Sequence, residues 1–388
     1  MSAVILNGIT WGHSRGITPL LALSQRYSEL HPSVEIRWKK RTLQEFADYP
    51  IEKLTREYDL LIIDHPWVGC AAATGCVLPL NEYLPADYLD DQLRHSAGAS
   101  HISYYYGGSQ WALAIDAATP AASFRKDLLD RHKTPVPDTW EALLALAREG
   151  KCALPAIPID ILMNFYTFCL AHQGSLFTGN EEITAEETGV QAIETMKQLY
   201  GLLNKEMFAY NPIAVAERMS NTDDYWYCPF AYAYSNYARE GYATHRLEYS
   251  DVVSFNGVKL RTTIGGTGLS VSAYTKNRDV ALDFAQMAVS ATCQRTMYVQ
   301  HGGQPGHRSA WTDTTANLLT GGFFDAVLPV MDNGYMRPRY NGYLYFQDHA
   351  GNPLQQCLIN NGDSKKTLDE MNKIYRSSLV REHKKIIV

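Results

Sequence analysis

The sequence lacks any apolar run of about 18 residues, the length a helix needs to cross a bilayer, so no membrane insertion is expected. It lacks a block of about five or more basic residues, and its formal net charge is −6. Nucleic acid is thereby excluded as the main partner, because phosphate binding needs a concentrated basic surface. Cysteines are few and unpatterned: Cys70, Cys76, Cys152, Cys169, Cys228, Cys293 and Cys357 are odd in number, and no C-x-x-C occurs. That argues against a disulfide framework and a structural zinc site, and suggests free thiols in a reducing compartment. There is no Gly-x-Ser-x-Gly elbow and no H-E-x-x-H, and the histidines are scattered without metal spacing, so no cofactor and no metal are expected. Also missing is a basic leader followed by an apolar stretch and a small-residue cleavage site. The expectation is a cytoplasmic protein as the sequence stands, or a periplasmic one if a signal has been removed.

What is present is a substantial core and many rings. Hydrophobic residues make up 46% of the chain and charged residues 20%, which rules out a disordered polymer. The 25 tyrosines offer rings that combine apolar contact with a hydroxyl, a composition suited to ligand surfaces as well as to cores. The first third alternates strand and helix. Val4 to Trp11 is β-rich, Pro19 to Leu30 carries Leu20, Leu23, Tyr27 and Leu30 at helical spacing, and Val34 to Trp38 alternates with period two. Leu43 to Glu57 reads as a helical stretch interrupted at Pro50; Leu60 to Ile63 is a continuous apolar strand, and Val68 to Gly75 a small-residue helix. This order predicts a parallel sheet with helices on both faces. Further on, Trp111 to Phe124 is extended, and Asp138 or Thr139 caps a helix. Helices are expected over 161–172, 188–203, 279–289, 292–300 and about 364–380, and strand-like backbone over 261–272. The aromatic stretch 225–237 stays open between strand and loop.

Several segments resemble the sugar-type binding proteins of ABC importers, the extracellular solute-binding protein family 1. They are Asp59 to Gly69, Gly75 to Leu80, Trp111 to Asp116, Phe124 to Leu129, Pro137 to Leu143, Ile264 to Ser272, Asn277 to Phe284, Gly302 to Pro305 and Arg337 to Arg339. They follow the family's order over most of the chain; residues 150 to 260 match poorly. The resemblance implies an α/β, two-lobed type II periplasmic-binding-protein fold, each lobe a sheet flanked by helices, with the ligand in a cleft between the lobes. Residues 1–112 plus 264–310 would form the N-lobe and 115–260 plus 312–388 the C-lobe, with crossing hinges near 112–116, 260–264 and 310. A monomer that binds a small molecule and partners an ABC transporter permease is what this family implies.

In open parallel sheets, ligands bind beyond the carboxyl ends of the strands. Trp11, His13 and Arg15 follow the first strand, where a helix start and a guanidinium would suit an anion; the competing reading has Trp11 in the core and Arg15 on a surface acid. The run Lys39-Lys40-Arg41-Thr42 ends the second strand, as a solvated face or with Arg41 or Thr42 reaching the cleft. His65 and Trp67 follow the third, where Asp64 also serves as a helix cap. Asp116 stands where the chain is expected to cross between lobes, as ligand contact or hinge. In the second lobe the rings Phe165, Tyr166, Trp226, Tyr227, Tyr232, Tyr234 and Tyr237 are core or pocket, and Tyr232 and Tyr234 are taken as ligand contacts. Thr267 stands where the family often carries a sugar-stacking Trp, which weighs against a plain oligosaccharide and toward an anionic or aromatic ligand. Gln304 adds a neutral polar contact. The alternatives are a cytoplasmic carrier or sensor, and an enzyme on the same fold using Cys70, with its pKa lowered by a helix start and His65 or His13 as base, against a buried inert thiol.

Overall fold

The computed structural model describes residues 3–42 and 51–382, so the expected helical stretch between 43 and 50 lies outside the described residues. The elements that carry the argument are, in chain order, β1 (Val4–Trp11), α1 (Ser14–Leu30), β2 (Val34–Arg41), β3 (Leu60–Ile63), α2 (Val68–Thr74), α3 (Ala86–Arg94), β4 (Leu113–Ala118) and β5 (Pro120–Phe124). They continue with α4 (Pro158–Ala171), α5 (Glu186–Tyr200), β6 (Tyr227–Tyr232), β7 (Glu248–Ser250) and β8 (Gly265–Val271). The last are α6 (Arg278–Val289), α7 (Arg308–Trp311), α8 (Tyr343–Asn360) and α9 (Ser364–Glu382).

The chain divides into two compact units. Unit 1 holds 1–118, 264–320 and 339–341; unit 2 holds 119–263, 321–338 and 342–388. Residues 115–118, which the sequence reading put in the second lobe, belong to unit 1, as do 312–320. Strand β4 runs through to Ala118 with every residue buried, because its Leu-Ala-Ile-Asp-Ala-Ala side chains are small or apolar enough to pack on both faces. Residues 339–341 return to unit 1 for a specific reason. Gly69 in α2 lies so close to the Arg339 carbonyl that a Cβ there would sit 2.0 Å from it, while Arg339 Nη1 donates to the carbonyls of Ile102 (3.0 Å) and Ser103 (3.2 Å).

Unit 1 is built on a sheet of order β2-β1-β3-β8-β4. β1 pairs parallel with β2 and β3, as the alternating strand and helix pattern predicts. Val34 and Ile36 on β2 are buried and Glu35 and Arg37 exposed, and all four residues of β3 are buried. The sheet is not parallel throughout: β8 enters antiparallel between β3 and β4. Helix α1 packs on β1 and β2, and α6 on β8 and β4.

Unit 2 carries a smaller antiparallel sheet of order β6-β5-β7. The aromatic stretch 225–237 resolves into β6 followed by a short 3-10 turn, Ser235–Ala238. Helix α4 starts at Pro158, three residues earlier than the apolar pattern suggests, since Pro fits the first turn where no N–H is needed. It packs against α5 and α8, and α8 against α9. Arg125, fully buried after β5, holds the unit together. Its guanidinium forks onto Asp127 (2.7 Å twice) and reaches Asp223 (3.0 Å) and the carbonyls of Met219 (3.0 Å) and Thr222 (2.8 Å). As the sequence suggests, Thr139 caps its helix, accepting from the Ala142 N–H at 3.2 Å.

Candidate ligand-binding site

In unit 1 the strand directions bring one set of sequence-selected residues to a single end of the sheet. The carboxyl ends of β1, β2 and β3 lie together, Trp11 opposite Arg41. Because β8 runs antiparallel to β3 and β4 antiparallel to β8, the start of β8 and the end of β4 lie at that same end, with Thr267 opposite Asp116 and Gly265 opposite Ala118. Trp11, Arg41, His65, Asp116 and Thr267 therefore share this rim.

At its centre is a buried ion pair. Arg15 Nε donates to Asp116 Oδ2 at 2.9 Å, and Nη2 to Asp116 Oδ1, both side chains almost wholly buried. Burial pushes the Asp116 carboxyl above its ordinary range, against the opposing pull of the guanidinium. Arg15 is thus matched by an internal acid, which removes the ground for an anionic ligand at this point. His13 is the cap of α1: its Nδ1 accepts the Arg15 backbone N–H at 3.0 Å. Burial, then the Arg15 charge, push its pKa down to about 4, so it is a neutral acceptor at pH 7. Its ring stacks on Trp11 at 5.6 Å, and the Arg15 guanidinium lies 5.6 Å from the Trp11 ring centre. Trp11 itself is 4% exposed and packs on Gly16, where a Cβ would meet the indole at 2.4 Å.

The other rim residues are firmly held. Arg41 Nη2 donates to the Ile62 carbonyl (3.3 Å). Asp64 Oδ1 accepts the His65 N–H (2.8 Å) and lies 3.3 Å from His65 Nδ1; the imidazole is fully buried, edge-on to Tyr104. Trp67 is 6% exposed. Gln304 Nε2 donates to the Ala117 carbonyl (2.8 Å), and the Ala117 N–H to the Gln304 carbonyl (3.0 Å), so Gln304 extends the pairing along β4. Gly266 has φ +98° and its Cβ position lies 2.3 Å from the Asp116 carbonyl, which only glycine tolerates.

Unit 2 contributes a different chemistry. A small hollow is lined by Pro120, Pro155, Met163, Phe230, Tyr232 and the pair Asp160 and Asn164. Asp160 sits in the first turn of α4, 6% exposed, and its Oδ2 has no hydrogen-bond partner among the described residues. Burial pushes its pKa up to about 8. Asn164, one turn on, donates to the Tyr200 hydroxyl at 2.8 Å, and the Tyr232 hydroxyl lies 2.9 Å from Thr263 Oγ1. Tyr232 is half-buried, whereas Tyr234 is buried and accepts at its carbonyl from Tyr249 (3.0 Å). Phe165, Tyr166, Tyr227 and Tyr237 are core, and the tyrosine hydroxyls reach polar partners such as Glu217, 2.7 Å from Tyr237. Sequence reasoning missed Asp160. Its signal was an acid in the first turn of a helix whose other turns are nearly all apolar.

The Cys70 reading meets a clear obstacle. The thiol is buried and donates to Glu52 Oε2 at 3.4 Å; burial, then the Glu52 charge, push its pKa well up rather than down as a helix start would. All seven cysteines are free. We expect iodoacetamide at pH 8 to label native Cys70 far more slowly than the unfolded chain, read by mass spectrometry; equal rates would contradict a buried thiol.

The bacterial extracellular solute-binding protein family model matches residues 26–294, more than half of the chain. The chain belongs to that family. A maltotriose-binding protein of Pyrococcus abyssi is 28% identical over 122 residues, 31% of this chain and 25% of that protein, so the chain spans only a quarter of this curated relative's length. Among solved structures, maltose-bound MalE3 of T. maritima superposes with a TM-score of 0.84 at 16% identity, covering 97% of this chain and 100% of the other. An ABC transporter solute-binding protein of Agrobacterium radiobacter K84 in complex with ribitol gives 0.82 at 18% identity, covering 97% and 99%. The fold is that of the type II periplasmic binding proteins. No described helix is long and apolar enough to cross a membrane.

Proposed function

We propose that this solute-binding protein takes a neutral, hydroxyl-rich small molecule of the carbohydrate or polyol class, and delivers it to an ABC transporter permease. The observation that carries the reading is the buried carboxyl group of Asp160, which lines a hollow with aromatic rings and Asn164 and whose Oδ2 has no hydrogen-bond partner among the described residues. A hydroxyl group can donate to that oxygen, or accept from it when it is protonated, whereas an anion can only accept and so suits the protonated form alone. Phe230 and Tyr232 supply ring surface of the kind that covers the apolar face of a sugar. The names of the similar proteins, which include maltose, maltotriose and ribitol binders, support the same class. With Arg15 matched by Asp116, the anionic alternative loses its main cation.

The test is titration calorimetry and thermal shift with maltose, maltotriose, ribitol, aromatic acids and inorganic phosphate. A sugar or polyol should raise the melting temperature, since a ligand that binds only the folded state stabilises it. Asp160→Ala should weaken that ligand by about 10-fold or more, the worth of one hydrogen bond to a buried acid. Binding of anions alone, or unchanged sugar affinity in Asp160→Ala, would overturn the reading. Closure of the family kind would lower the radius of gyration in scattering when ligand is added.

A further inference from the structure

We propose that unit 1 carries a binding site for one transition-metal ion of the zinc class, formed by Asp91, His95 and His307. Nothing in the solute-binding reading requires it. One donor atom from each of the three residues lies within 4.8 Å of the others. They come from two distant stretches of the chain: Asp91 stands in the last turn of α3 with His95 just after it, and His307 caps α7. The two stretches are already joined by backbone, Ser96 bridging His307 and the Arg308 N–H donating to the His95 carbonyl at 2.6 Å.

The donor set and its supports suit such an ion. The imidazoles of His95 and His307 lie nearly parallel, ring centres 5.3 Å apart and 8° between planes. His95 Nδ1 is 3.1 Å from Asp91 Oδ1 and 3.0 Å from the Asp91 carbonyl, and both are acceptors. His307 Nδ1, the helix cap, accepts the Ser309 N–H at 3.3 Å and lies 2.8 Å from Ser309 Oγ; ligation through Nε2 requires Nδ1 to take the proton and donate it to Ser309 Oγ, at the cost of the cap. Tetrahedral zinc, with bonds of about 2.0–2.1 Å, holds its ligand atoms roughly 3.4 Å apart. His95 and Asp91 are about half-exposed and supply the small rotation needed, while buried His307 stays fixed. Two imidazoles and one carboxylate leave a fourth position for water. A local cation, Arg94, lies 3.7 Å from Asp91 and opposes the ion, so moderate rather than extreme affinity is expected.

The spacing of Asp91 and His95, four apart at a helix end, was in the sequence, but its third member lies 212 positions further along. The probe is Co2+, followed by competition with Zn2+. One equivalent per chain should give d–d absorption without the thiolate charge-transfer band that a cysteine site would show, and Zn2+ should displace it. His95→Ala, an exposed change that leaves the fold intact, should weaken binding by at least about 10-fold, and His307→Ala likewise. His301→Ala, on an exposed residue elsewhere in unit 1, should leave it unchanged. The proposal is overturned if Co2+ fails to bind at submillimolar concentration, if a thiolate band appears, or if His95→Ala binds as the wild type does. Sugar binding is measured separately, with chelator present, so its failure leaves this result standing.

Discussion

Asp160→Asn should remove a pH-dependent loss of stability that the wild-type chain carries between about pH 4 and pH 8. The sign follows from the direction of the shift. The Asp160 carboxyl titrates near 4 in the unfolded chain and at about 8 when buried. Between those values the folded state holds the proton and the unfolded state does not. Raising the pH through that window therefore favours unfolding, by about 1.4 kcal/mol per pH unit, and the cost levels off above pH 8. Asparagine has the same shape and never ionises. The variant should match the wild type near pH 4 and exceed it by several kcal/mol at pH 8. Urea midpoints at pH 4, 6 and 8 decide it: parallel curves for both proteins would mean Asp160 is not the buried acid described above. Sugar present at pH 8 should shrink the difference, because a hydroxyl donated to Oδ2 stabilises the ionised form.

The second large effect belongs to Arg15 and Asp116. Arg15→Ala leaves a carboxylate buried without its partner, which costs about 3–5 kcal/mol. Removing both charges, as Arg15→Met with Asp116→Leu, should be less destabilising than Arg15→Ala alone, since the desolvation of both ions is relieved. Chemical denaturation of wild type, single and double variants tests this. A loss below about 1 kcal/mol for Arg15→Ala would show the pair to be solvated and of the exposed kind.

β1, β2 and β3 were legible because their burial follows period two or a continuous apolar run, signals that survive in any context. The antiparallel entry of β8 was not, because a strand's partner depends on which neighbours leave an edge open, and no local pattern records that. The lobe boundary was set a few residues early because the small side chains of β4 carry little periodicity. Arg15 and Asp116 were each noticed, yet their pairing across 101 positions was invisible. Asp160 was overlooked because apolar residues dominate its helix, and the helix was begun one residue after it.

The place of β8 bears on how the chain is made. Until residues 265–271 leave the ribosome, β3 and β4 have no strand between them, and all of 119–263 is synthesised in the interval. At about 5–20 residues per second that wait lasts about 7–30 s. Unit 2, with its β6-β5-β7 sheet, can start to collapse while the first 118 residues still hold two unpaired edges. A newborn chain is then vulnerable to edge-to-edge association for a defined interval. A holding chaperone bound to those edges would act on that interval and on no other stage.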